Sequence, residues 1–320
     1  MTNIPAFPDP KSVALLLAPM AGFTDSAMRR LCKKYGADLL VSEFVMANAV
    51  IQANEDSAVW KILSFTENER PIGLQLFGAD PKMMADAAAV LNARFQPDFI
   101  DLNCGCPAPK IVSQDAGSAL LKDLPLAAKI MRAMVDAVPR TPVTAKIRIG
   151  WDNMKIIAVE AAKIFEDAGA SAIAVHGRTK MQGYSGDADW RVIENVVKNV
   201  KIPVIGNGSI GGDYPVKTMR DTGVAGIMVG RAALGNPWIF ARLRAELDGN
   251  TTPEHPSASE RLNTMLDYAR ELERSGETVS KMRPRLKPFA AGIRGVRKLR
   301  REIDRTDNLA ELENLISNLE

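Results

Sequence analysis

The sequence predicts an α/β fold, a (β/α)8 TIM barrel with a smaller C-terminal all-α helical domain. Three observations predict it. Eight short runs of branched aliphatic residues alternate with longer helix-like stretches over about 240 residues. The runs are continuously apolar rather than alternating, as expected for parallel strands covered on both faces. Beyond Phe240 the strand runs cease, and only helical segments follow.

In chain order the runs are VALLLA (13–18), DLLVS (38–42), PIGLQLF (71–77), FIDLN (99–103), VTAKIRI (143–149), AIAVH (172–176), PVIGN (203–207) and GIMVG (226–230). Between them lie amphipathic stretches such as DPKMMADAAAVLNARF (80–95) and NMKIIAVEAAKIFEDAG (153–169), the latter closed by Gly169 as a helix stop. Eight strand–helix alternations fit a closed barrel better than an open sheet. A Rossmann sheet would need G-x-G-x-x-G after its first strand, where this chain has PMAGFTD. The stretch DGNTTPEHPSAS (248–259) has a linker composition, so a boundary is expected near residue 250, between domains 1–248 and 249–320.

Composition narrows the function classes. With 46% hydrophobic and 25% charged residues and a net charge of +3, the chain is neither disordered nor supercharged. VALLLAPMAGF (13–23) is too short to span a bilayer and lacks a basic flank. Three cysteines do not build a disulfide framework, and thiols left free suit a cytoplasmic setting. Two histidines without a spaced Cys/His cluster argue against a metal site.

In such barrels the chemistry collects at the C-terminal strand ends. The first strand ends in Pro19-Met20-Ala21-Gly22, and the third carries Gln75. Asn103, Cys104 and Cys106 follow the fourth. Lys146 and Arg148 lie in the fifth, and His176-Gly177-Arg178 close the sixth. Asn207-Gly208-Ser209 and Gly230-Arg231 close the last two. The loops after the last two strands are the usual phosphate site of this fold. GNGSIGG (206–212) alone reads as a glycine-rich turn; paired with VGRAALGNPW (229–238) and its Arg231, it reads better as a phosphate cradle. Lys146 points into an apolar strand and needs an anionic partner. A flavin supplies one, with Gln75 and His176 placed to bond its ring edge and Pro19-Met20-Ala21 to run along it.

The stretches APMAGFTD, VSEF, GLQLFGADP, DLNCGCPAPK, GSALLKD, KIRIGWD, VHGRTKMQGYSG, IPVIGNGSI and VGRAALGNPWIF resemble those of the tRNA-dihydrouridine synthases, in matching order from about residue 14 to 240. The resemblance implies an FMN-dependent reductase that converts uridines of tRNA to dihydrouridine, with NADPH reducing the flavin. It assigns the proton donor to Cys106, immediately before the proline of N-x-G-C-P. It assigns flavin contacts to Pro19, Met20, Ala21, Gln75, Lys146, His176, Asn207, Gly208, Ser209, Gly230 and Arg231. The family usually reads NGD where this chain has Asn207-Gly208-Ser209, which weakens only a side-chain role at 209.

A thiol in DLNCGCPAPK then has a reason. Reducing a uracil C5–C6 double bond needs a hydride at C6 and a proton at C5, and a thiol with an ordinary pKa near 8.5 is mostly protonated at neutral pH. Gly105 is expected to let the backbone approach the substrate, and Pro107 to stiffen the loop. Asn103 is placed to hold the base or the flavin edge, and Cys104 reads as a buried thiol. Arg178 is a candidate for gripping the substrate, whereas Lys180 and Tyr184 read equally as a solvated loop. Glu43 either orients a partner or pairs with a neighbouring base.

Lys281 to Arg305 carry ten Lys/Arg against Glu302 and Asp304, a net of eight positive charges where the whole chain has three. Leu286, Phe289, Ile293, Val296 and Ile303 follow helical spacing. Arg294, Arg297, Lys298, Arg301 and Arg305 fall on another side, which reads as a helix face for RNA phosphates. The family's C-terminal helical domain helps dock the RNA, so the resemblance implies the same. The last helix, NLAELENLISNLE (308–320), is acidic and offers no such surface. Three rival readings are dihydrouridine synthesis in rRNA, an RNA-binding protein that has lost its chemistry, and an FMN barrel reducing a free pyrimidine or small enone. The intact Cys106, Lys146 and phosphate loop argue against the second, and the third gives the basic appendage no role.

Overall fold

A computed structural model describes residues 12–211 and 215–318. Gly212 of the predicted phosphate loop, the first eleven residues of the predicted barrel domain and the last two of the acidic helix lie outside the described residues.

Eight strands close a parallel barrel in sequence order: β1 (Ala14–Leu17), β2 (Leu39–Met46), β3 (Ile72–Phe77), β4 (Phe99–Cys104), β5 (Val143–Arg148), β6 (Ala172–His176), β7 (Val204–Asn207) and β8 (Gly226–Val229). β8 returns to β1 with Leu17 opposite Val229. Six of the predicted runs contain their strands, and β4 goes one residue past its run, to Cys104. β2 alone extends well beyond its run, to Met46, past a register shift between Val41 and Phe44 against β3.

The outward side chains of the strands pack under the helices, as Leu15, Leu17, Leu74, Leu102 and Ile147 do. This sandwiching of each strand between barrel and helix layer is why the runs are continuously apolar. The barrel interior is a separate apolar cluster of Leu16, Val41, Phe99, Ala174, Ile205 and Met228, among others. The predicted helix at 80–95 forms at Pro81–Phe95, capped by Asp80 with proline in its first turn. The one expected at 153–169 shortens to Ala158–Asp167, because Gly150 and Ile156 bridge the preceding loop back on itself.

The barrel's last helix ends at Leu247, and helices follow at Ala258–Arg274, Val279–Leu286, Val296–Ile303 and Leu309–Ser317. They dock beside the loops after β1 and β8. Asp25 accepts hydrogen bonds from Tyr268 (2.7 Å) and Arg285 (2.8 Å), and Arg285 also pairs with Glu277. Arg30 pairs with Glu271 at 2.6 Å. Gly235, with φ at +62°, lies so close to the chain at Pro288 and Phe289 that a Cβ there would overlap their backbone.

One expectation about this region is corrected. The basic segment is not a single helix from 286 to 305. Gly292 and Gly295 adopt left-handed φ of +78° and +79° and break it, so Arg294 sits in a turn and only Arg297, Lys298 and Arg301 share the following helix. Nor is all of its charge free. Arg283 pairs with Asp307, Arg285 with Asp25 and Glu277, and Lys287 with Asp304. Arg294, Arg297, Lys298 and Arg301 are exposed, and none makes an ion pair among the described residues.

Candidate functional site

A cavity of about 880 Å³ opens at the C-terminal ends of the strands. Every predicted barrel site residue lines it: Pro19, Met20, Ala21, Gln75, Asn103, Cys106, Lys146, His176, Arg178, Asn207, Gly208, Ser209, Gly230 and Arg231. The structure thus brings together residues spread over more than two hundred positions of sequence. The four residues predicted in the C-terminal segment do not line this cavity.

Its electrostatics are one-sided. Lys146, Arg148, Arg178, Lys180 and Arg231 line it, and among the described residues no carboxylate does. Burial, reinforced by the Arg148 charge, pulls Lys146 down to about 8, so it still carries its proton at neutral pH. Its ammonium donates to Asn207 Oδ1 at 3.2 Å, and Asn207 in turn donates to the Met228 carbonyl of β8 at 2.6 Å. Burial first, then Lys146, Arg148, Arg178 and Arg231, push His176 well below its ordinary value and hold it neutral. Its Nε2 lies 3.3 Å from the Arg178 guanidinium, which can only donate, so this nitrogen accepts and the ring proton belongs on Nδ1. Gly208 makes room for that ring, since a Cβ at 208 would come within 2.7 Å of its Cδ2.

Arg178 also donates to the Gly186 carbonyl (2.7 Å) and to Ser209 Oγ (3.0 Å). Ser209 sits at φ +54° and accepts from Ala188 N at 3.0 Å as well, so its hydroxyl braces the β6 and β7 loops against one another. Arg231 lies over the Tyr184 ring at 4.0 Å. A pocket with this donor set fits an anionic ligand whose charge spreads along its length.

The two thiols differ in burial. Cys104 is fully buried in the layer between barrel and helices, and desolvation raises its thiol far above the ordinary range. Cys106 reaches the cavity from a small apolar cluster with Phe77 and Ile111. Burial raises it too, partly opposed by Arg148 and Lys146, so it stays protonated at neutral pH. The reason for Gly105 differs from the one expected. A Cβ there would stand 3.3 Å from the Lys146 carbonyl, so the tight approach is to β5 rather than to a substrate. Glu43 orients the β1 loop by accepting from Gly22 N at 2.7 Å.

Sequence reading gave no role to Arg148, Asp101 or Thr144. Arg148 is buried and has no acid partner among the described residues. It donates to the carbonyls of Gly105 (2.9 Å), Thr179 (2.9 Å) and Gly183 (2.8 Å), tying the thiol loop to the loop after β6. Its only signal was a second cation two residues after Lys146, on the same face of β5. Asp101 lies beneath the pocket floor, flagged in sequence only as an acid inside an apolar run.

The model of the dihydrouridine synthase family matches residues 16–319. The tRNA-dihydrouridine synthase B of Pseudomonas aeruginosa is 39% identical over 302 residues, spanning 91% of this chain and 88% of that one. The tRNA-dihydrouridine synthase B of Shewanella oneidensis is 40% identical over 259 residues, spanning 81% and 79%. Among solved structures, the old yellow enzyme from Trypanosoma cruzi superposes with a TM-score of 0.53 at 12% identity, covering 78% of this chain and 91% of that one, a likeness of fold alone. A family match over nearly the whole chain, with relatives near 40% identity, settles membership: this chain belongs to the dihydrouridine synthase family.

Proposed function

We propose that this protein reduces the C5=C6 bond of uridines in tRNA to give 5,6-dihydrouridine, using FMN, with NADPH as the source of reducing equivalents. The observation that carries this reading is the Cys106 thiol on the wall of a cavity lined by five cations and, among the described residues, no carboxylate; its burial favours the protonated form. The relatives' names, which specify tRNA, supply the substrate class. FMN, reduced by NADPH, supplies the hydride for C6 when bound.

Each protein group then has a task. Gly208, Ser209, Gly230 and Arg231, with Arg178 beside them, receive the phosphate; Lys146 balances negative charge on the ring's pyrimidine side; neutral His176 offers a hydrogen bond without adding charge. Pro19, Met20 and Ala21 form the wall along the ring. Cys106 releases its proton to C5 as C6 takes the hydride, so the base gains both hydrogens with no net charge. The cations that oppose the rise of its pKa also steady the thiolate until water reprotonates it.

We assign residues 1–248 to catalysis and 249–320 to RNA docking through Arg294, Arg297, Lys298 and Arg301, and place the protein in the cytoplasm with its three unpaired thiols. The test is nucleoside mass spectrometry on tRNA and rRNA from cells with and without the gene, together with analysis of the flavin in purified protein. Loss of dihydrouridine from tRNA and stoichiometric FMN are expected. Unchanged tRNA dihydrouridine, or FAD in place of FMN, overturns the reading.

A further inference from the structure

The barrel interior is apolar except for a polar strip on one side, directly under the pocket. Gln75, Asp101 and Thr144 lie opposite one another in register on β3, β4 and β5, and Asn103 stands one step higher on β4. All are buried: Gln75 is 0%, Asp101 4%, Asn103 5% and Thr144 5% exposed. A buried carboxylate with no ion pair among the described residues is a poor way to gain stability, because desolvation opposes it. The strip therefore needs another explanation.

Its hydrogen bonds supply one. The amides of Gly105 (3.1 Å) and Cys106 (2.9 Å) both donate to Asn103 Oδ1. Backbone N–H groups can only donate, so this end of Asn103 must be its oxygen, whichever way the side-chain amide is drawn. Asn103 Nδ2 then faces Gln75 Oε1 at 2.8 Å, which turns Gln75 Nε2 toward Asp101 Oδ2 at 2.5 Å. The far end of the relay must accept. Asp101 does so, and it takes the Thr144 hydroxyl on its other oxygen.

We propose that Asp101 is the positioning residue of this site: as terminal acceptor it fixes the polarity of Gln75 and Asn103, and through Asn103 it holds the loop that aims Cys106. The requirement is for an acceptor facing Gln75, not for a charge. Asparagine at 101 meets it, because its oxygen can face Gln75 while its Nδ2 donates to a Thr144 hydroxyl turned to accept. Leucine cannot, and it leaves a buried amide N–H unpaired. The inference rests on the proposed role of Cys106 for its consequence, but not for its geometry.

The test compares Asp101→Asn and Asp101→Leu at saturating FMN, measuring kcat and KM on tRNA and NADPH-driven flavin reduction. Asp101→Leu should lose about tenfold or more in kcat, since ångström-scale misplacement of a reacting group costs up to about 10²-fold. Its KM should stay within about twofold, and Asp101→Asn should recover most of the rate. A Leu variant with wild-type kcat overturns the proposal, as does an Asn variant as impaired as Leu. A second measurement needs neither substrate nor flavin and serves if the Leu variant does not fold. Asn103→Asp keeps the loop's acceptor but cannot donate to Gln75, so the relay must reverse and its far end must then donate. Asp101→Asn supplies that donor. The melting temperature of the Asn103→Asp, Asp101→Asn double variant should therefore exceed the value expected from adding the two single changes. Simple additivity overturns the relay itself. A strong coupling alongside inactive protein leaves the relay standing and counts against the proposed reaction.

Discussion

Replacing Arg294, Arg297, Lys298 and Arg301 together by Gln isolates the proposed RNA contact from the barrel. All four are exposed and make no ion pair among the described residues, whereas Arg283, Arg285 and Lys287 are already neutralised by acids. The packing beneath them, Leu299 and Ile303 with partly buried Val296, is untouched, so the melting temperature should hold. Each phosphate contact releases condensed counterions, which sets a slope of about 0.7 to 0.9 in log affinity against log salt. Four lost contacts should flatten that slope by roughly 3. At ~0.1 M salt the same term is worth about 10³-fold in affinity, and between 50 and 200 mM it accounts for roughly a 60-fold change. The assay is tRNA binding across a salt series, paired with NADPH-driven flavin reduction as a barrel control. Unchanged affinity and slope in a folded variant would refute this surface as an RNA contact. A flattening near one unit would mean that a single cation, rather than the set, meets phosphate.

Cys106→Ala should cut turnover on tRNA by about 10²-fold or more, with flavin content and flavin reduction nearly unchanged; Cys104→Ala should cost stability on the order of 1 kcal/mol in a melt and leave turnover mild in its response. Because Lys146 titrates near 8, FMN affinity of the apoprotein should fall as pH rises through that value, and Lys146→Met should abolish the dependence in a fluorescence titration. The same lowered pKa means the unfolded chain binds more protons between pH 8 and the ordinary lysine value of about 10.4, so this group's contribution raises stability as pH climbs through that window in denaturant melts. Gly235→Ala, which forces a Cβ into the Pro288–Phe289 backbone, should lower the melting temperature by more than about 1 kcal/mol implies, without touching cavity residues.

The barrel was legible because its strands are covered on both faces, and that makes them short, continuous apolar runs. Where a strand departed from the pattern, the reading stopped early. β2 was expected to end at Ser42 because Glu43 breaks the apolar run. The strand continues through a register shift, and its polar residue serves the β1 loop instead. The pocket lining was legible for a related reason. A polar residue at a strand's C-terminal end has no packing role, so Gln75, Lys146, His176 and Asn207 stood out against their neighbours.

The C-terminal segment shows the opposite case. Apolar spacing at 286, 289, 293, 296 and 303 satisfies a helical period, yet Gly292 and Gly295 take left-handed φ and divide it. Periodicity reports which side chains can share a face, not whether the backbone between them stays helical. Two glycines three residues apart, shortly after Pro284 and Pro288, were the local signal against continuity. Net charge misled in the same way. The acids that neutralise Arg283, Arg285 and Lys287 are Asp307, Asp25, Glu277 and Asp304, and only Asp304 lies within the segment counted. A charge sum over a window cannot see a partner 260 positions away. Among the described residues, three-dimensional pairing leaves Lys281, Arg294, Arg297, Lys298, Arg300 and Arg301 exposed and without an ion pair, and Arg285 serves another purpose. Arg285 clamps the helical segment onto Asp25, which also caps the helix at Ser26–Lys34 immediately after the β1 loop. The basic segment therefore divides into cations held by acids, of which Arg285 attaches it to the barrel, and cations left for a partner, and only the second group should respond to salt.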